Sequence, residues 1–319
     1  MDAGGSLNQT HLFKMCPSGA RLSQTQFGQS AEIGIDPERK IVWAPELNDL
    51  DNINYNQVVQ VDSEGNVINR FQGYRIDVLA VDPSDGSVWV NAWNAEEQRT
   101  LMTKLSANGK LLRSVGGFHL VSAIALDTRD SSIWVADYGD HILTHLSKDG
   151  EKLFETRVEG HFFSNAPDQI TVEPQNGDVW FTTFDPSQLH KLSAKGEMLI
   201  ETGGFRSPVA VAINPISGNV WVADYDLLGF GAIVKLDSSG HILLTQTLPA
   251  HAHTAAINPF DGTLWVGVDG EVIRYYEDGS VAEREAGFNR PQSIAFAKSG
   301  NDLRTEIKCT LDFFSDMLK

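Results

Sequence analysis

Cysteine and long apolar runs are both scarce in this chain. Cys16 and Cys309 are its only cysteines, so neither a disulfide framework nor a four-cysteine zinc site can be built, although one bridge between the two stays open. The chain contains no run of about 18 apolar residues, the length that could cross a membrane. The first thirty residues lack the continuous apolar segment of a signal peptide. We expect a soluble protein. The sequence does not decide its compartment, which would be periplasmic or secreted if a signal peptide was removed.

Basic residues are also few. The chain has 25 Lys and Arg against 42 Asp and Glu, which gives a formal net charge of −17. Phosphate backbones and anionic lipid surfaces bind mainly through Lys and Arg. We therefore expect no nucleic-acid partner and no membrane insertion.

Tryptophan, in contrast, follows a regular spacing. Six of the seven tryptophans come directly after Val, Ile or Leu and recur about every 41 to 46 residues. They are Trp43, Trp89, Trp134, Trp180, Trp221 and Trp265. A fixed period of this length indicates a repeat architecture. The simplest role for such a residue is a wedge packed between adjacent repeats.

Each repeat has the pattern of four short strands. The segment "VLAVDPSDGSVWV" reads as a first hairpin that closes at Gly86. The segment "LMTKLSANGKLLRSVGGF" reads as a second hairpin, in which Asn108-Gly109 favours a type I′ turn. The glycine of the second hairpin occurs seven times, at Gly19, Gly65, Gly109, Gly150, Gly196, Gly240 and Gly279.

The seventh second hairpin, without a matching tryptophan, lies at the N-terminus. Residues 11–27 look like an isolated second hairpin, and Ser293–Phe296 match the inner strand of a first hairpin. Joined, they predict one composite blade from 11–27 plus 292–311, followed by a short C-terminal tail at 312–319. The predicted fold is all-β and forms a single domain over 1–319. It is a seven-bladed β-propeller of four-stranded antiparallel blades, closed by terminal strands that share the last blade.

The C-terminal segment supports two periodicities. Ile307, Cys309 and Leu311 alternate as in a strand, whereas Leu303, Ile307, Leu311, Phe314 and Leu318 would share one face of a helix. We favour a strand to about Leu311 followed by a short helical tail. If the helix extends further, the last blade has only three strands.

The repeats resemble those of NHL-repeat propellers. The likeness rests on "SPVAVAINPISGNVWVADY" and "SSIWVADYGDHILTHLSKDGE" and extends over nearly the whole chain. The segment "DVWFTTFDPSQLHKLSAKGE" is similar to the virginiamycin B lyase type, a seven-bladed relative. Propellers of this kind include lyases, lactonases, receptors and scaffolds, so the resemblance implies a fold more strongly than a function.

One position per repeat is expected to line the central channel. It lies five residues before the turn of the first hairpin and holds Ala31, Asp77, Ser122, Asp168, Val209, His253 and Gln292. Peptidyl-amidoglycolate lyases, which resemble NHL propellers, have a zinc-binding histidine at a corresponding loop position. That resemblance implies a metal-binding role for His253, with His251 two residues earlier. Asp77 and Asp168 from other blades would add carboxylate ligands, and together the four predict a site for a divalent metal (Zn, Ca or Mn). The alternative is a water-filled mouth in which these groups hydrogen-bond to one another.

A second set of candidates follows the repeated tryptophans, on loops of the same face. The expected ligand-binding rim consists of Trp93, Asn94, Tyr138, Phe184, Tyr225, Glu46 and Asp51. The alternative is that the aromatic rings pack against neighbouring loops. The loop at 45–56 is the longest insertion and is the expected specificity element.

Two functional hypotheses remain. There is no G-x-S-x-G elbow and no phosphate-binding glycine loop, so no catalytic residue can be assigned. The first hypothesis is a binding or scaffold propeller that holds a peptide, glycan, small molecule or protein on its loop-rich face. The second is a metal-dependent lyase or hydrolase with its site at the channel mouth.

Overall fold

The computed structural model describes residues 10–15, 21–27, 32–46, 57–72, 76–94, 98–158, 166–184, 186–225, 230–297 and 311–317. Every regular element within these ranges is a β-strand, and the strands number twenty-eight. They pair into seven four-stranded antiparallel sheets, which we call blades.

Six blades are each continuous in the chain. Blade 1 contains β3 (Gly34–Asp36), β4 (Ile41–Glu46), β5 (Gln57–Val61) and β6 (Val67–Gln72). Blade 2 contains β7 (Leu79–Val81), β8 (Val88–Asn94), β9 (Arg99–Leu105) and β10 (Leu111–Phe118). Blade 3 contains β11 (Val121–Asp127), β12 (Ser132–Asp137), β13 (Ile142–Leu146) and β14 (Lys152–Arg157). Blade 4 contains β15 (Ala166–Val172), β16 (Val179–Phe184), β17 (Gln188–Leu192) and β18 (Met198–Thr202). Blade 5 contains β19 (Pro208–Ile213), β20 (Val220–Tyr225), β21 (Gly231–Leu236) and β22 (Ile242–Thr247). Blade 6 contains β23 (Ala252–Ile257), β24 (Leu264–Val268), β25 (Glu271–Tyr275) and β26 (Val281–Ala286).

The remaining sheet, the composite blade, joins the two ends of the chain. Its strand order is β2 (Arg21–Phe27), β1 (Thr10–Met15), β28 (Leu311–Met317) and β27 (Pro291–Ala297). Phe314 lies opposite Phe13 on one side and Ile294 on the other. The strand that joins the two ends of the chain is therefore β28, which lies close to the C-terminal end of the sequence.

The predicted composition of this blade is wrong. We expected a strand that ended at about Leu311 and a short helical tail at 312–319, but the strand begins at Leu311 and runs to Met317. The closing blade is therefore not the predicted combination of 11–27 with 292–311, because its fourth strand lies at Leu311–Met317. The other six blades are continuous in the chain. The physical reason is that aromatic residues such as Phe313 and Phe314 favour β-strands. Pairing with β1 and β27 together outweighs the helical periodicity. Ile307 and both cysteines lie outside the described residues.

The repeated tryptophans are wedges between blades, as predicted. All six are at most 2% exposed. Trp180 of blade 4, for example, packs in one apolar cluster with Val211 and Val220 of blade 5. A cation completes several of these contacts, as where Lys191 Nζ lies 5.4 Å from the Trp180 ring centroid. Each wedge therefore stabilises the boundary between two blades rather than one sheet alone.

The ring is closed between blade 1 and the composite blade. Leu12, Ile33, Val42 and Ala297 belong to one buried apolar cluster that spans this boundary. The backbone N–H of Ile33 donates to Ser293 Oγ at 3.3 Å. No repeated tryptophan occupies this cluster, so smaller aliphatic side chains fill the boundary.

The turns follow the glycine pattern, with one correction. Gly86 and Gly109 both have the positive φ expected of hairpin glycines, 74° and 76°. The turn at Asn108-Gly109, however, is not type I′, which requires a positive φ at both central residues, and only the glycine has one. Gly109 N donates to Ser106 O and Ser106 N donates to Lys110 O, as in a three-residue loop with a glycine bulge.

Candidate functional site

The inner strands of all seven blades surround a polar cavity. The chain enters the first strand of every blade at one face of the ring, which we call the upper face. A cavity of about 360 Å³ opens there, and we call it the upper mouth. Its polar lining residues are Glu32, Asp77, Ser122, Gln169, His253, Thr254, Gln292 and Ser293. Among the described residues that line it there is no Lys or Arg.

Backbone irregularities direct several of these side chains inward. The pairing of β11 with β12 shifts by one residue between Val121 and Ala123, and that of β23 with β24 shifts between Ala252 and Thr254. Ser122 and His253 are the extra residues at these bulges. A bulge frees its residue from the ladder and re-aims its side chain, which explains how these two reach the channel.

The predicted channel column is reproduced in most blades. Asp77, Ser122, Val209, His253 and Gln292 all line the upper mouth. Blade 4 contributes Gln169 to the lining instead of Asp168. Burial raises the pKa of Asp168 above its ordinary value. Ala31 lies outside the described residues.

Glu32 is the site residue that the sequence analysis missed. Burial within the narrow channel raises its pKa from the ordinary 4.5 to about 8, and a hydrogen bond from Leu79 N to Oε2 at 3.1 Å opposes that rise. The residue lies one position after the predicted column, next to Ala31. In the sequence the only sign of this channel residue is a single acid between two apolar residues, Ala31 and Ile33. The sequence fixes the register of the inner strand to within one residue only, so it does not show that the side chain of Glu32 reaches the channel.

His253 is held in place by a carboxylate. Its Nε2 lies 2.7 Å from Oδ1 of Asp269, which follows β24. The same oxygen lies 3.8 Å from Arg290 Nε. His251 instead packs against Tyr225, with ring centroids 4.8 Å apart. The two histidines therefore have different neighbours, although their rings are 6.4 Å apart.

Of the four predicted metal ligands, the structure places Asp77 and His253 together at the upper mouth. His251 contacts Tyr225, and His253 Nε2 already contacts Asp269. Over the part of the chain that the structure describes, no three His, Cys, Asp or Glu side chains converge as ligands. A Zn, Ca or Mn site stays a prediction.

The aromatic rim is described in part. Trp93, Tyr138 and Tyr225 are half-buried at the ends of second strands or directly after them, on the upper face. The side chains of Asn94 and Phe184, and the whole of Asp51, lie outside the described residues. Their role in ligand binding stays a prediction.

Glu46 differs from the other predicted rim residues because its carboxylate is used within blade 1. The residue is 5% exposed. Its Oε2 accepts a hydrogen bond from Gln57 Nε2 of β5 and lies 3.2 Å from Arg70 Nε of β6. These contacts give Glu46 a structural role across three strands, in addition to the rim role predicted for it.

The acid of the repeated "WVAD" segment supports loops. The carboxylate of Asp224 accepts hydrogen bonds from Arg206 N and Ser207 N, and that of Asp137 accepts them from His119 N and Leu120 N. Both acids thereby fix the loop that leads into the first strand of their own blade. Burial raises the pKa of Asp224, while these backbone hydrogen bonds oppose the rise.

The opposite end of the channel has a different chemistry. A cavity of about 250 Å³, the lower mouth, is lined by Leu126, Thr128, Thr171, Val172, Pro174, Ile213, Pro215, Ile257 and Pro259. None of these residues, all in the described part of the chain, is charged. Ile216 and Phe260, which follow two of these prolines, are 66% and 48% exposed. The channel thus has a polar end and an apolar end.

Comparison with solved structures identifies the fold. A structure described as "Streptogramin B lyase structure" matches with a TM-score of 0.68 and 17% identity, covering 97% of this chain and 98% of that one. The Saccharomyces cerevisiae protein Sqt1 matches with a TM-score of 0.66 and 11% identity, covering 96% and 100%. The predicted resemblance to a propeller family is confirmed, and at these identities it shows the fold alone.

Other comparisons add no closer relative. No family model matches the chain, and no curated protein matches it. The NHL-repeat assignment stays a prediction. In the described residues no helix is long and apolar enough to span a membrane.

Proposed function

We propose that this β-propeller binds a small polar ligand, or the polar end of a peptide or glycan, at its upper mouth. The observation that carries the proposal is the cavity of about 360 Å³ to which all seven blades contribute. Its volume lies within the range of small-molecule sites, and its polar groups converge from different strands. Such convergence provides directional hydrogen bonds that a flat surface lacks.

The half-buried aromatics around the cavity support the same proposal. Trp93, Tyr138 and Tyr225 lie on the upper face, where the second strands of blades 2, 3 and 5 end. Each provides an apolar ring with a polar atom, which suits the less polar part of a ligand. A partner protein that inserts one side chain into the mouth would use the same features.

The test compares two channel obstructions. Gln292→Trp places a large side chain in the upper mouth, and Thr128→Trp does so in the lower mouth. A library of small amines, sugars, carboxylates and short peptides is screened by thermal shift against both variants and the parent chain. We expect ligands that stabilise the parent and Thr128→Trp but not Gln292→Trp. Stabilisation that Gln292→Trp leaves unchanged would contradict the proposal.

A lyase or hydrolase acting at the same mouth is the second candidate. The observation that favours it is the contact of 2.7 Å between His253 Nε2 and Asp269 Oδ1, because a carboxylate that orients an imidazole is a common arrangement for proton transfer. Glu32, with a pKa of about 8, would hold a proton at neutral pH and could donate it. His253 would then be the base.

Elemental analysis of protein purified without chelator tests the metal-dependent form of this candidate. If Zn, Ca or Mn copurifies in stoichiometric amount, His253→Ala should lower its occupancy. An occupancy that stays the same in the variant would remove His253 from the proposed ligand set. Glu38→Gln, which alters an exposed acid in a blade 1 turn, is the control for the change in purification behaviour.

A further inference from the structure

We propose that the ligand of the upper mouth is a neutral sugar, held by hydrogen bonds to its hydroxyl groups and by an aromatic ring at the rim. This inference rests on the proposed function, since it names the class of ligand for the same cavity. It assigns the hydrogen bonds to Gln292 and His253 inside the mouth and the ring contact to Tyr225.

The hydrogen-bonding groups of the mouth match hydroxyls better than ions. Of its eight polar lining residues, two are acids, and the other six are amides, hydroxyls and an imidazole. Amides, hydroxyls and a neutral imidazole each both donate and accept hydrogen bonds, as the hydroxyl of a sugar does. An ammonium group only donates and a carboxylate only accepts, so either ion would use fewer of these groups.

Two of these side chains are held in place by the protein. Gln292 Nε2 donates to Arg290 O at 3.0 Å. His253 Nε2 lies 2.7 Å from Asp269 Oδ1, which favours a proton on Nε2 and makes Nδ1 an acceptor. Gln292 Oε1 and His253 Nδ1 therefore provide two acceptors on adjacent blades. Neighbouring hydroxyls of one sugar ring can donate to such a pair, and little side-chain freedom is lost on binding.

The interior of the mouth disfavours charge. Burial raises the pKa of Glu32 to about 8, so the carboxyl is mainly neutral near pH 7 and can itself both donate and accept. The loss of hydration that opposes the ionised form of Glu32 would also oppose a charged ligand in the same space. Asp77, the other acid of the lining, is exposed and stays in contact with water. A neutral ligand avoids the cost of losing hydration.

An aromatic ring adjoins the mouth. Tyr225 is half-buried at the end of β20, and its ring packs against His251 with centroids 4.8 Å apart. The ring of His251 lies 6.4 Å from that of His253, which lines the cavity. A sugar has a face of C–H groups besides its hydroxyls, and such a face packs well on an aromatic ring. Tyr225 can therefore supply the apolar contact beside the hydrogen-bonding groups.

Cavity size limits the ligand. A volume of about 360 Å³ corresponds to roughly twelve water molecules at about 30 Å³ each. One pyranose ring fits this space, and further rings of a longer glycan would extend over the upper face. We therefore choose methyl glycosides of single sugars as probes.

Saturation-transfer NMR and isothermal titration calorimetry test the inference. The probes are the methyl α-glycosides of glucose, galactose, mannose and N-acetylglucosamine. For the one that binds most tightly, the 6-amino-6-deoxy analogue and the uronate place a cation or an anion on the same ring. We expect at least one neutral glycoside to bind, and both charged analogues to bind about tenfold more weakly at neutral pH.

Variants assign the binding to the named residues. Gln292→Leu and His253→Leu each remove a hydrogen-bonding group, and we expect about a tenfold loss of affinity from either. Tyr225→Leu should cost about fivefold, and Tyr225→Phe, which keeps the ring, should recover most of that loss. Gln24→Leu makes the same change as Gln292→Leu at an exposed position of β2 and should bind as the parent does. Circular dichroism melting shows that each variant is folded before it is titrated.

The outcomes separate this inference from the proposed function. If no glycoside binds, but other members of the library stabilise the parent and not Gln292→Trp, the sugar inference is wrong and the mouth is still a ligand site. If the charged analogues bind as tightly as the neutral glycoside, the preference for a neutral ligand is wrong. If glycoside binding survives the Leu variants of Gln292, His253 and Tyr225, it occurs elsewhere, and the inference is wrong. If neither the glycosides nor the library bind at the mouth, the inference and the proposed function are both wrong.

Discussion

The two ends of the central channel are formed by the same inner strands but differ in chemistry. The upper mouth contains acids, amides, hydroxyls and an imidazole, whereas the lower mouth is lined mainly by aliphatic side chains and prolines. At the lower end the residues repeat, as with Pro174, Pro215 and Pro259 in three successive blades. At the upper end nearly every blade contributes a different residue. Repeated positions therefore maintain the ring, and the positions that vary between blades provide the candidate site.

The largest effect is expected from opening the ring, because both mouths depend on it. Deletion of residues 1–27 removes β1 and β2 and leaves β28 without one of its two partners. We expect loss of cooperative melting, since two of four strands of a closing blade contribute an amount comparable with a whole domain's net stability of about 5–15 kcal/mol. Thermal denaturation monitored by circular dichroism measures the effect. A truncated chain that melts like the parent would contradict the composite blade.

A comparison of two tryptophans distinguishes residues that stabilise the ring from residues of the candidate site. Trp180→Ala empties a fully buried wedge and removes the donor to Glu173 Oε1 at 2.7 Å, so we expect a loss of about 3–5 kcal/mol in the free energy of unfolding. Trp93→Ala alters a half-buried residue of the upper rim. It should cost no more than about 1 kcal/mol and instead weaken ligand binding. Chemical denaturation of both variants provides the numbers. Equal losses of stability would remove the distinction between wedge and rim.

Removal of a loop-supporting acid should have an intermediate effect. Asp224→Ala leaves the N–H groups of Arg206 and Ser207 without their carboxylate acceptor, and we expect a loss of about 1–3 kcal/mol. Asp149→Ala, at an exposed turn, is the matched control and should change little. Hydrogen exchange should show faster exchange in the segment leading into β19 in the first variant only. Unchanged exchange there would show that Asp224 does not fix the loop.

A further prediction concerns the pH dependence of stability. The native state keeps a proton on Glu32 up to about pH 8, whereas the unfolded chain loses it near 4.5. The native state therefore binds more protons over this interval, and its stability should fall as the pH rises from about 4.5 to 8. Glu32→Gln should remove that part of the fall, so that the variant gains stability relative to the parent at pH 8. Melting temperatures of parent, Glu32→Gln and Glu38→Gln at pH 5 and pH 8 test this. Parallel profiles for all three would contradict a Glu32 that holds a proton in the channel.

The wedge positions could be predicted because a buried aromatic at a fixed interval leaves a direct trace in the sequence. The glycine turns were predictable for the same reason, since a positive φ restricts residue choice. Glu32 could not be located in this way because no acid is repeated at its position in the other blades. In addition, a shift of one residue in an inner strand changes which side chain reaches the channel.

The closing strand at Leu311–Met317 was also mispredicted, for a different reason. Its alternation is broken by the adjacent Phe313 and Phe314, so the helical and extended patterns compete locally. Pairing with β27 and with β1, some three hundred residues earlier in the chain, decides between them. The partner residue for His253 was hidden similarly, because Asp269 lies at a separate loop and enters the site through the fold.

The central claim is that the polar end of the channel holds the ligand. A crystal structure of the chain grown with a ligand that stabilises it in the library screen tests it most directly. We predict density for that ligand in the upper mouth, in contact with His253 or Gln292, and none in the lower mouth. Density in the lower mouth, or at the outer surface with the upper mouth filled only by solvent, would contradict the claim.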